Sequence, residues 1–89
     1  MRTIVKEARF ERELAAIKSD ARRADDFVEA AEWVLSRNPY CEYPVEPEPS
    51  VVWTYPLDDY SDGTSANIFY AFSDRYVWFL SIIRVTADT

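Results

Sequence analysis

The sequence predicts an α+β domain in which an N-terminal helical hairpin packs on an antiparallel sheet of three to four strands. Three observations lead there. Apolar residues recur at helical spacing through the first third of the chain. They alternate with a period of two after residue 50, and a proline-rich stretch separates the two regimes.

The opening Thr3-Ile4-Val5 sets β-branched residues beside charged ones and reads as a short strand. From Phe10 the period changes. Phe10, Leu14 and Ile17 fall on one face of a helix, and Glu11, Arg12, Glu13 and Lys18 face away. Ser19 and Asp20 interrupt that pattern and are residue types that cap a following helix.

In the second helix Ala24, Phe27, Val28, Ala31, Val34 and Leu35 form the apolar stripe. Asp25 and Asp26 are expected at its positive N-terminal end and Arg37 at its C-terminal end. Asn38-Pro39 stops it. Helices joined by so few residues lie antiparallel.

Residues 39–49 hold Pro39, Pro44, Pro47 and Pro49, which excludes a central strand and predicts an extended connector. A strand follows over Val51–Tyr55, ended by Pro56. Asp58 to Gly63 reads as a loop, Ala66–Phe72 as a strand, Ser73-Asp74-Arg75 as a tight connection, and Tyr76–Ile83 as a strand apolar on both faces. The expected order is a short strand, two helices and a three-strand meander, all in one domain over residues 1–89.

Composition bounds the function. With 48% hydrophobic residues, including three Trp, six Tyr and five Phe, so short a chain can build a core. Its size leaves room for a partner or a homodimer. The single Cys41 has no internal disulfide partner, and no Cys/His set for zinc exists. The N-terminus lacks the pattern of a signal peptide and no run is long enough to span a bilayer, so the expected location is cytoplasmic. Residues 1–37 carry eight basic and eight acidic side chains. Residues 38–89 carry only Arg75 and Arg84 against eight acidic ones, so the whole net charge of −6 lies in the second half. That balance disfavours a nucleic-acid surface and favours a basic or apolar partner.

Other chemistries have little to work with. There is no His for general base catalysis, and one Gly cannot build a phosphate loop. Asp58, Asp59 and Asp62 are close enough to imitate a hard-cation site. However, the calcium-loop spacing is not met, and a solvated acidic turn is the expectation. No metal or cofactor is expected. If Trp53, Tyr55, Tyr70 and Trp78 line one sheet face, with Val52, Phe69, Phe79 and Ile83 under the helices, the aromatic face is a candidate partner-binding surface.

Four segments carry a family resemblance. They are Phe10-Glu11-Arg12-Glu13-Leu14, Phe27 through Leu35, Asn67 through Asp74, and Val77 through Ile83. In this order they resemble the RelE/ParE superfamily of toxins from type II toxin–antitoxin systems, over about residues 8 to 85. The resemblance implies a RelE/ParE-like fold with a twisted sheet, and a cognate antitoxin segment that folds as it wraps the toxin. An amphipathic helix is one form such a segment takes. Nuclease members of the family cut messenger RNA with basic and Tyr side chains on the sheet. Here the matching strand, Val51–Tyr55, has no basic residue, Asn67 stands where the family carries Arg, and no Tyr follows the last strand. Arg84 alone matches, as a candidate catalytic residue. Gyrase-poisoning members of the family lack that set, so the resemblance implies a toxin-like, antitoxin-binding protein with gyrase-type or degenerate activity that is not a functional mRNA endonuclease. Two other readings are a non-catalytic acidic interaction module on the same fold, and a nuclease with a relocated basic set drawn from Arg9, Arg12, Arg22, Arg23 and Arg84.

Overall fold

A computed structural model describes residues 1–41, 43–44 and 52–85. The chain opens with strand β1 (Thr3–Lys6) and turns at once into helix α1 (Ala8–Ile17). Phe10 and Leu14, one turn apart, are the residues that α1 buries. Lys18 leaves the helix in an extended conformation while its N–H still reaches the Leu14 carbonyl, at 2.8 Å.

Helix α2 (Ala21–Arg37) starts one residue after the cap that the sequence supplies. Asp20 accepts from the N–H groups of Arg22 and Arg23 at 2.9 and 3.2 Å. Because α2 begins at Ala21, Asp25 and Asp26 fall in its second turn. The first turn holds Arg22 and Arg23 and no acidic residue, contrary to the expected charge placement. The Asp20 side chain alone meets the orphan donors there. Asp20→Ala is expected to cost about 1 kcal/mol, lowering the melting temperature by roughly 4–8 °C in a thermal melt. Arg37 does occupy the last turn, donating to the Trp33 carbonyl at 3.0 Å, and α2 stops before Pro39 as expected.

After a single 3₁₀ turn (Pro39–Cys41) come β2 (Tyr43–Pro44), β3 (Trp53–Asp59), β4 (Thr64–Phe72) and β5 (Tyr76–Arg84). Most of the expected connector over 39–49, and Val51 of the expected strand, lie outside the described residues. The sheet order is β1-β5-β4-β3-β2. Strands β2 to β5 pair antiparallel, and β1 runs parallel to β5 with Thr3 to Lys6 opposite Tyr76 to Phe79. Among the described residues the sheet is thus mixed and has five strands, where the sequence predicts an antiparallel sheet of three to four. The helices carry the chain across one face, so the meander's free edge receives β1 from the same end at which β5 starts.

Strand β3 runs through Pro56 to Asp59. Val85 donates to the Ser65 carbonyl at 2.8 Å, so the backbone of Ser65 points to β5. Ser65 is opposite Asp58 and Asn67 opposite Pro56. By alternation Pro56 turns its nitrogen away from β4, and β2 covers only Trp53 and Thr54. The missing N–H costs no ladder bond there, and it blunts an edge open to further pairing. A four-residue turn over 60–63 closes the β3–β4 hairpin, with Gly63 at φ 76°, where a side chain would be strained.

Both helices pack on one face of the sheet, α1 mainly on β5 and α2 on β3, β1 and β5. Phe10, Val28, Ala31, Leu35, Ile68, Tyr70, Val77 and Phe79 are fully buried between the layers. The Phe10 and Phe79 rings meet at 5.2 Å. The Tyr70 hydroxyl donates to the Pro39 carbonyl at 2.6 Å, tying the end of α2 to the sheet. The C-terminus of α1 reaches the β3–β4 turn through Lys18, whereas Ser36 near the end of α2 accepts from the Arg2 N–H beside β1. The helices therefore run in opposite directions, as their short link requires. Among the described residues no helix is long and apolar enough to cross a membrane.

Candidate functional site

The sheet register decides which aromatic side chains share a surface. Trp53 is opposite Tyr70, Tyr70 is opposite Phe79, and Tyr55 is opposite Ile68. Tyr70, Phe79 and Ile68 are core residues. Trp53, Tyr55 and Tyr70 therefore face the helices. Trp78 is opposite Ala71 and Val5, one residue out of phase, and stands on the other face. The expected single surface of Trp53, Tyr55, Tyr70 and Trp78 is corrected to two faces. Tyr70 is 0% exposed and closed to a partner.

A bulge produces part of the discrepancy. Phe69 is opposite Ser81 while the next residue, Tyr70, is opposite Phe79, so Leu80 is an extra residue in β5. Beyond it the phase of β5 changes. Ile82, not Ile83, is the core residue, and Ile83 is 49% exposed. Phe69, placed under the helices by the sequence reading, lies on the opposite face.

That opposite face carries Val5, Phe69, Ala71, Tyr76, Trp78 and Leu80, extended by Ile83. Tyr76 and Trp78 stack at 5.7 Å with 29° between their planes. Among the described residues no helix packs on this face, and no Lys or Arg stands on it in register. The polar positions are Thr3, Thr54, Ser65 and Asn67, with Asp58 near the β3–β4 turn, where it accepts from the Ser65 hydroxyl at 2.6 Å. The arrangement has the chemistry of a protein-binding surface: a continuous apolar and aromatic strip, bordered by small polar groups and a carboxylate.

On the helix side, Trp53 joins Tyr40 and Phe72 in a cluster of rings whose centroids lie 4.7 to 6.0 Å apart. Arg2 stands 5.7 Å from the Phe72 ring centre and donates to the Ser73 carbonyl. The rings pack against one another. This cluster seals the end of the core.

The acidic turn is built around a cation. Lys18 is 6% exposed, and its ammonium donates to Asp59 at 2.8 Å and to Asp62 at 2.5 Å while lying 5.0 Å from the centre of the Phe27 ring. Asp59 also accepts from the Ser61 N–H and hydroxyl, and Asp62 from the Thr64 N–H. Burial pulls the Lys18 pKa down, but the hydrogen bonds and charges of the two carboxylates raise it above its ordinary value. The hydrogen bond from Lys18 holds both Asp59 and Asp62 below the usual carboxylate range, helped by the bonds from Ser61 and Thr64. Asp58 projects to the other face, so the three carboxylates do not converge. What reads in sequence as a solvated turn is a lysine-centred junction between α1 and the hairpin.

Arg84 ends β5 opposite Ala66, on the helix-side register and exposed. Trp53 and Tyr70 lie two side-chain rows away along the sheet, and Trp78 lies across it. The structure does not bring Arg84 together with the aromatic candidates. A groove of about 430 Å³ lies between α2 and the hairpin, with Phe27 and Leu57 in its wall and Arg23, Asp26 and Asp59 along it. The side chain of Cys41 lies outside what the structure describes.

Sequence reasoning missed Phe69, Tyr76, Leu80 and Ile83 as companions of Trp78. The signal that could have found them is the pairing of Trp78 with Ala71, which no single-strand pattern supplies. No protein-family model matches this chain, and a search of curated proteins finds no match to it.

Proposed function

We propose that this domain acts by binding another protein, as the toxin-like component of a type II toxin–antitoxin pair whose antitoxin segment docks on the open sheet face. The observation that carries the reading is the strip of Val5, Phe69, Tyr76, Trp78, Leu80 and Ile83, apolar and without a covering helix among the described residues. The occupant that fits is an amphipathic segment with an apolar face and basic flanks. The second half of the chain, which supplies most of this face, carries eight acidic side chains against two basic ones. The same charge argues against message cleavage, because among the described residues the face offers no cation to a phosphate.

Co-expression with the product of an adjacent small gene tests the proposal. The expected result is a stable complex that Trp78→Ala weakens by roughly 30-fold, the loss typical of a central aromatic hot spot. Equal affinity for the variant would move the interface elsewhere. Growth after tightly controlled induction of the chain alone separates the two forms of the reading. Arrest supports a live toxin. Normal growth with folded protein supports the non-catalytic interaction module, which the absence of cations from the sheet face favours.

A further inference from the structure

A second surface lies on the opposite side of the molecule, along the outward face of α2. Ala30, Trp33 and Val34 form an apolar strip one turn long, and Trp33 is 61% exposed. Leaving an indole in water is unfavourable relative to burying it. Asp25, Asp26 and Glu29 lie alongside. Of the neighbouring carboxylates, Glu32 is paired, with Lys6 at 2.6 Å. Lys6 also attracts Asp25, and among the described residues Asp26 and Glu29 form no salt bridge with a basic side chain.

The helix dipole does not account for these charges. They begin in the second turn of α2, while the first turn holds Arg22 and Arg23. Trp33 already holds one cation: the Arg37 guanidinium carbon lies 4.0 Å from its ring centre.

We propose that this face of α2 docks a basic protein segment in which Lys or Arg residues flank a large apolar side chain. The apolar side chain covers Trp33, Ala30 and Val34, and the cations pair with Asp25, Asp26 and Glu29. The site is independent of the sheet-face reading, being on the other layer and built from one helix.

A random dodecapeptide library displayed on phage, panned against the folded domain, tests the inference. Enriched peptides are expected to carry several Lys or Arg around Leu, Ile, Phe or Trp. Synthetic copies should bind about tenfold more weakly to Trp33→Ala. They should lose their salt dependence against the combined Asp25→Asn, Asp26→Asn, Glu29→Gln variant. Trp78→Ala should bind them as the parent does. Asp25, Asp26, Glu29 and Trp33 are exposed and Trp78 is half-buried, and a thermal melt checks that each variant folds. Enriched peptides without cations, no enrichment over an unrelated acidic domain, or equal binding to Trp33→Ala would each overturn the proposal. Self-association in sedimentation that Trp33→Ala abolishes would assign the face to a second copy of this chain, and would equally overturn it.

Discussion

Phe79→Ala is expected to destabilise the domain by about 3–5 kcal/mol, the range for truncating a fully buried aromatic. Phe79 is 0% exposed and sits opposite Tyr70 in the centre of the sheet, its ring 5.2 Å from that of Phe10. It is the place where α1 meets β5, and Tyr70 and Phe10 are both too constrained to fill the hole. Domains of this length have a total stability of roughly 4–13 kcal/mol, so the variant approaches the limit of folding at all. Urea denaturation should show a much lower midpoint with an unchanged slope. Phe79→Leu, which keeps most of the volume, should lose markedly less. A loss under about 1 kcal/mol for the alanine variant would mean that α1 does not rest on this strand in solution.

The helical layer was legible because helix periodicity is a local property. The stripe of Ala24, Phe27, Val28, Ala31 and Leu35 read from spacing is buried, with Val34 at its margin. Phe10 and Leu14 behave likewise in α1. Asp20 was legible as a cap because capping is decided within three residues. The hairpin turns were placed approximately for the same reason. Asp58 and Asp59 nevertheless belong to β3, and Pro56 lies within that strand, because an edge tolerates a proline that a central strand does not.

The faces of the sheet were not legible, and Tyr76–Ile83 shows why. Its residues are apolar at nearly every position, so alternation gives no phase, and a slip of one residue exchanges the two faces. The phase comes from the partners, with Val77 opposite Phe72 and Phe79 opposite Tyr70. The extra residue at Leu80 then shifts it again before Ile82. The parallel pairing of β1 with β5 joins residues more than seventy positions apart, beyond any local pattern. Among the candidate site residues, Trp78 lies on the face away from the helices, whereas Trp53 and Tyr55 flank the core on the helix side. Their composition was informative and their direction was not.

Lys18→Met is expected to lower the melting temperature by on the order of 5–10 °C near neutral pH, and to do so in a pH-dependent way. In sequence Lys18 is an unremarkable cation four residues after Leu14. Its partners, Asp59 and Asp62, lie 41 and 44 positions away. Methionine keeps the aliphatic packing against Phe27 but leaves two carboxylates without their cation. The carboxylates are partly exposed and recover hydration, so the loss stays below that of breaking a wholly buried pair. The sign of the pH dependence follows from the direction of each shift. Asp59 and Asp62 have folded pKa values below the unfolded value of about 3.9. Their contribution is present above that value and is lost as pH falls through the folded ones. Lys18 has a folded pKa above its unfolded value of about 10.4. Its contribution is complete below that value and is lost as pH rises through the folded one. The difference in melting temperature between the parent and Lys18→Met should therefore be flat between about pH 5 and 9 and shrink at both extremes. In an Asp59→Asn, Asp62→Asn background the acid-side change in the effect of Lys18→Met should disappear. A constant difference across the whole range would show that the charges at this junction contribute nothing to joining α1 to the hairpin.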